Sequence, residues 1–243
     1  MRRRQGYKRG YPVAILVSFD DDRAVVWHVF SHVVKLHLTV ELAGSRTDER
    51  VLYNFHESIV NALRPTLKEG VRSIILTSAA RSNHVQRFIA HTREHHAWLV
   101  QGPNKAIISE ATEAANTLSE VAALAKTPQF RRLICETTSE ETDNLIDVLE
   151  KRLNAKNQNT VVLYSLEEIE DLILGPQKPR RSKPEYLMLT NKCLRDCPEK
   201  SRINRLMQIA TSRKVKTRII DAESTAGLRL TQLGGMVCFA HLE

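Results

Sequence analysis

Residues 53–77 read YNFHESIVNALRPTLKEGVRSIILT, and the period of the apolar residues changes partway along. Up to Lys68 the apolar positions Phe55, Ile59, Ala62 and Leu63 recur at intervals of three and four, which predicts a helix over residues 54–68. Gly70 offers the residue without a Cβ that often ends a helix. Residues 71–77 are then strongly apolar and short, the pattern of a buried strand. A strand and loop leading to a helix and back to a strand form a βαβ-type crossover, so the chain reads as α/β.

Toward the N-terminus, residues 12–18 form an apolar strand, Asp20-Asp21-Asp22 a turn, and residues 23–30 a returning strand. In residues 32–42 Val34, Leu36, Leu38, Val40 and Leu42 alternate with Lys35, His37, Thr39 and Glu41, which predicts a half-buried strand of period two. Together these make an antiparallel meander, followed by a polar loop at residues 44–50. Toward the C-terminus a helix is expected at 84–94, a short strand at Trp98-Leu99-Val100 and a helix at 109–125. Thr127-Pro128 is taken as a break and as the domain boundary, because proline disfavours helix in the residue before it. A second α/β unit follows, with helices at 138–153, 165–173, 199–212 and 225–232 and strands at 161–164, 185–190, 215–220 and 236–240. The division is therefore a basic tail at 1–10, one domain at 11–127 and another at 128–243.

The composition supports a core: 42% of the 243 residues are hydrophobic and 26% charged. Aromatics are only 5%, so that core rests on Val, Ile, Leu and Ala. A net charge of +8 favours polyanionic partners. Its cations cluster in three segments: Arg2, Arg3, Arg4, Lys8 and Arg9; Lys178, Arg180, Arg181 and Lys183; and Arg213 and Lys214, followed by Lys216 and Arg218. Long cations usually form a solvated face. Two of these segments lie in Gly- or Pro-rich stretches expected to be flexible, however, and basic arms that order on a phosphate backbone are a common RNA-binding device. The residues from Arg2 to Lys214 named here, apart from Lys216 and Arg218, are the expected RNA contacts.

Catalytic and metal signals are thinner. Neighbouring strand residues point to opposite faces, so Asp20-Asp21-Asp22 reads as a solvated turn before it reads as a metal site. His91 and His95 have the i, i+4 spacing of a helical metal pair but lack the glutamate of His-Glu-x-x-His, and they are read as a surface cluster facing RNA. Cys193 and Cys197 have only Cys238 and His241 to complete a zinc site, and they are read as ordinary thiols. No glycine-rich phosphate loop and no Gly-x-Ser-x-Gly elbow occurs, so no cofactor is expected. The N-terminus MRRRQGYKRG is not an export signal and no apolar run is long enough to span a membrane, so a cytoplasmic protein with free thiols is expected.

Several phrases resemble one family. TVVLYSLEEIEDLI at 160–173 is similar to a strand–helix of the Pelota rescue factors and the archaeal and eukaryotic class-one peptide chain release factors. Residues 186–190 (YLMLT) match its next strand, and residues 215–220, 224–233 and 234–239 (GGMVCF) resemble its closing pattern. The meander with the 54–68 helix and residues 71–79 resembles the central domain. The resemblance implies a mixed-sheet central domain and a C-terminal α-β-α sandwich similar to kink-turn-binding ribosomal proteins. It also implies a ribosome and rRNA partner, with contacts to a translational GTPase and to the ribosome-recycling ATPase. The family's decoding domain is not matched, and Gly-Gly-Gln is absent, since Gly234-Gly235 is followed by Met236. The resemblance therefore implies a non-hydrolytic factor of ribosome rescue, recycling or dormancy, not an enzyme. Two rival readings stay open: a metal-dependent nuclease using Asp20, Asp21 or Asp22 with His91 or His95, and an RNA-binding module unrelated to ribosomes.

Overall fold

The computed structural model describes residues 12–30, 33–102, 104–113, 115–154, 160–175 and 182–241. The first sheet opens with the expected meander: β1 (Ala14–Phe19), β2 (Arg23–Val29) and β3 (Val34–Glu41), paired antiparallel. Helix α1 (Glu49–Lys68) crosses to β4 (Ser73–Ser78), which lies parallel to β1. Asp48 starts α1 by accepting from the backbone N–H groups of Arg50 and Val51, so the helix begins five residues before the apolar spacing becomes visible at Asn54. β1 lies between two neighbours with helices on both faces, and all six of its residues are buried.

The alternation of β3 holds only in part. Trp27 pairs with Leu36 and Val26 with Leu38, so His37 is an extra residue that bulges the strand. The bulge switches faces. Val34 packs with Trp27 and Val29 on one side, Leu38 and Val40 pack with Ile59 and Leu63 on the other, and Leu36 is left 56% exposed.

After α2 (His84–His95), the triplet expected as a strand is a helical turn, α3 (Ala97–Val100), with Leu99 buried beneath it. The strand that pairs parallel to β4 is β5 (Ile107–Ala111), inside a segment expected as helix. Among the described residues of that segment only α4 (Leu118–Leu124) is helical, started by a capping box between Thr117 and Glu120. The five strands run in the order β3-β2-β1-β4-β5. α1, α2 and α3 cover one face and α4 with the start of α5 the other.

Helix α5 (Pro128–Asn154) starts ten residues before the expected position, 138. Thr127 Oγ1 accepts from Phe130 N at 3.3 Å, so Thr-Pro caps and opens the helix and does not break the chain. Phe130, Leu133 and Ile134 pack on the first sheet, and Ile146 and Leu149 on the second. The second sheet is built from β6 (Thr160–Leu163), β7 (Lys183–Thr190), β8 (Lys216–Ile220) and β9 (Met236–His241), in the order β6-β9-β7-β8 with only β7 and β8 parallel. α6 (Leu166–Leu174), α7 (Asn191–Asp196) and α8 (Lys200–Ser212) cover one face. α5 and α9 (Thr225–Gln232) cover the other, which makes the α-β-α sandwich expected. Among the described residues no helix is long and apolar enough to cross a membrane.

Candidate functional site

Lys183 of the second basic segment and Arg213 and Lys214 of the third gather at one end of the second sandwich. α6 and α8 terminate there, and the parallel strands β7 and β8 begin there. Arg213, the C-cap of α8, reaches across and donates from Nη1 to the carbonyls of Ile173 and Gly175, the latter at 3.2 Å. A guanidinium on the last carbonyls of α6 satisfies groups the helix leaves unpaired and complements its dipole. It also anchors the residue from which the 176–181 segment departs. Lys214 follows with a left-handed φ of 63° and an exposed side chain, and Lys183 opens β7, exposed, where that segment returns. The structure thus places Lys183, Arg213 and Lys214 at one end. Arg2, Arg3, Arg4, Lys8, Arg9, Lys178, Arg180 and Arg181 lie outside the described residues.

Two neighbours in the same sequence run behave differently. Lys216 Nζ pairs with Glu185 at 3.4 Å and donates to the Tyr186 hydroxyl at 3.0 Å. Arg218 is only 3% exposed and lies against Glu141, so it cannot reach a phosphate backbone.

A second locus lies between α1 and α2, where a cleft of about 520 Å³ is lined by residues including Arg46, Tyr53, His56, Arg87, His91 and His95. Behind it, Glu57 Oε1 accepts from His91 Nε2 at 3.2 Å and from His96 Nε2 at 2.6 Å. Burial pushes the Glu57 carboxyl up, but the hydrogen bonds from His96 and His91 outweigh it and hold the group below its usual value. Burial lowers His91, and the bond to Glu57 offsets only part of this. His56 is pushed down to about 3, by burial first and then by His91, Arg46, Arg87 and His84.

The sequence pairs His91 with His95. In the structure their rings are 4.8 Å apart, yet His95 Nε2 turns toward Glu94 at 3.8 Å while His91 shares its acceptor with His96. Glu57 was the residue missed. Its signal is weak, because it lies 34 and 39 positions from the two histidines. Asp20-Asp21-Asp22 sits at the β1–β2 tip, with Asp20 beside Arg23 at 3.5 Å and Asp21 beside His84 at 3.2 Å. Among the described residues these aspartates join no group of three metal-ligating atoms, and neither do Cys193 and Cys197. Asp21 faces His84, and His91 faces Glu57, so the aspartate–histidine set of a nuclease is not assembled.

Two mixed sheets sharing one long helix define the class of fold, and solved structures align with it along nearly the whole chain. No protein-family model and no curated protein matches this chain. Ribosome-bound archaeal Pelota, solved with ABCE1, aligns over 99% of this chain and 64% of its own, with a TM-score of 0.55 and 16% identity. S. cerevisiae Dom34, described as a translation termination-like factor, aligns over 94% and 62%, with a TM-score of 0.49 and 19% identity. Archaeoglobus fulgidus Pelota aligns over 96% and 65%, with a TM-score of 0.40 and 16% identity. This chain spans less than two thirds of the length of each of these structures. Its fold is Pelota-like.

Proposed function

We propose that this chain is a ribosome-associated translation factor that acts without peptide hydrolysis, in rescue, recycling or dormancy. The observation that carries the reading is the Pelota-like arrangement along nearly the whole chain, since the protein sharing it was visualised on a ribosome together with ABCE1. The exposed cations at the basic end of the second sandwich agree with an rRNA partner. Dom34 is described as interacting with Hbs1; by extension, a translational GTPase and the ribosome-recycling ATPase are the protein partners to seek. The absence of Gly-Gly-Gln from the sequence supports the non-hydrolytic part. Sucrose-gradient sedimentation with excess ribosomes at low salt is the test: the protein should travel with ribosomal particles, and its confinement to the top fractions refutes the proposal. Incubation with ribosomes carrying labelled peptidyl-tRNA should give no release above the factor-free rate; release that depends on the protein removes the non-hydrolytic part alone.

A further inference from the structure

We propose that Glu57, His91 and His96 form a binding site for a zinc-class divalent transition-metal ion that ties α1 to the end of α2. The three offer one ligand atom each, and these atoms all lie within 4.8 Å of one another. His91 and His96 are 7% and 6% exposed, and both aim the same ring nitrogen, Nε2, at one oxygen of Glu57. Two imidazoles converging on one carboxylate oxygen from a helix and from its C-cap is more than a single buried histidine needs for satisfaction.

The donor types and the two separations from Glu57 suit the ion. Ligand bonds of ~2.0–2.1 Å at tetrahedral angles separate ligand atoms by roughly 3.3 Å. The His91–Glu57 separation of 3.2 Å already meets this, and the His96–Glu57 separation of 2.6 Å must open slightly. Two imidazoles with one carboxylate suit zinc and its neighbours, whereas magnesium and calcium prefer sets made of oxygen alone. Binding moves each imidazole proton from Nε2 to Nδ1 or to solvent, freeing the Nε2 lone pair for the metal. A second observation lies beside the trio. The ring of His56 is 5.0 Å from that of His91, and its Nε2 is buried with no hydrogen-bond partner, so a further imidazole nitrogen is available next to the site. His95 belongs to the cleft wall and not to the ligand set.

The experiment uses the full chain stripped of metal with a chelator and titrated calorimetrically with Zn²⁺, with Mg²⁺ as control. Zn²⁺ should bind one ion per chain and raise the melting temperature, as any ligand of the folded state does, and Mg²⁺ should not bind there. Co²⁺ should give the intense visible bands of a four-coordinate ion. Glu57→Gln and His96→Gln should each weaken Zn²⁺ binding by at least about 100-fold, more than loss of an outer partner does. His95→Gln should leave it unchanged. Circular dichroism identifies any variant that fails to fold. Glu57 is the most exposed of the three, with a side chain 26% accessible, so Glu57→Gln decides the matter if His96→Gln unfolds. Absence of Zn²⁺ binding overturns the proposal, as does binding unchanged in Glu57→Gln or binding lost in His95→Gln. None of these outcomes depends on whether the protein binds ribosomes.

Discussion

Arg218 stands in the middle of β8, where a strand of the second sheet passes under α5. Its Nη2 lies 2.6 Å from Glu141 Oε1, and the two side chains are 3% and 4% exposed. The contact is close enough for strong attraction, but its alignment is poor. Glu141 Oε1 and Arg218 Nε both lack a well-formed hydrogen bond. Glu141 Oε2 meanwhile accepts from the hydroxyl of Ser73 in β4. One carboxylate on α5 therefore joins a strand of each sheet. Removing one partner leaves the other charge buried and alone, so Glu141→Ala should cost about 3–5 kcal/mol in urea unfolding. Replacing Glu141 and Arg218 together by Leu and Met should recover most of that loss; no recovery means that the pair is not the source. His28 gives the residue-scale pH effect. It accepts or donates at Thr66 Oγ1 over 2.9 Å, stacks on His37 at 4.2 Å, and is pushed from 6.5 down to about 4, by burial and then by the His37 charge. Between those values the unfolded chain binds the extra proton, so stability is full above about 6.5 and falls as the pH drops toward about 4. His28→Gln should flatten that part of the stability-versus-pH curve. Parallel curves for the two proteins remove the assignment.

At the scale of elements, local signals decided well where capping and period agreed. The helix reading over 165–173 matches α6, whose Ser165 hydroxyl accepts from Glu168 N, and the helix reading over 225–232 matches α9. They failed where pairing partners decide. Trp98-Leu99-Val100 looks like a strand, but β4 pairs with the less apolar Ile107–Ala111, and burial of Leu99 then favours a turn of helix. The capping box at Thr117 and Glu120 was visible in the sequence and marks where the helix truly starts. The His37 bulge was not visible, because an alternating pattern carries no record of the register of its partner. The candidate site divides in the same way. The clusters at Lys183 and Arg213-Lys214 could be read from composition, whereas the burial of Arg218 and the meeting of Glu57 with His91 and His96 depend on tertiary contacts. α9 supplies an element-scale prediction. Glycine inside a helix ordinarily costs ~1 kcal/mol relative to alanine, so Gly227→Ala looks stabilising by propensity. A Cβ at Gly227 would, however, stand 1.8 Å from the carbonyl oxygen of Asp221, backbone that α9 packs against directly. Gly227→Ala should therefore destabilise the protein, by about 1–3 kcal/mol as overpacking does; a raised melting temperature refutes this.

At the scale of the whole molecule, two sandwiches share α5 and also touch directly. Gly70, with φ of 105°, lies so close to the second unit that a Cβ there would be 3.0 Å from Lys216 Cβ. The first unit thus abuts β8 near the end of the second sandwich where Lys183, Arg213 and Lys214 gather. Whether that end contacts a phosphate backbone can be read from salt dependence, because each lysine or arginine on a phosphate releases condensed counterions. Lys214 is the most informative position. Its side chain is exposed and its φ of 63° is one that glycine adopts without strain, so Lys214→Gly removes the charge and relaxes the backbone together. Stability should hold or rise, while the plot of log affinity for ribosomes or rRNA against log salt should flatten by about one unit. Deleting residues 1–10, and separately replacing Lys178, Arg180, Arg181 and Lys183 with Ala, should flatten it further, by about one unit for each phosphate no longer neutralised. Arg213→Ala should act differently, since its guanidinium holds the carbonyls of Ile173 and Gly175. It should lower the melting temperature as well as the affinity. Unchanged slopes for Lys214→Gly and both segment variants, with intact melts, would mean that these cations only keep the protein soluble.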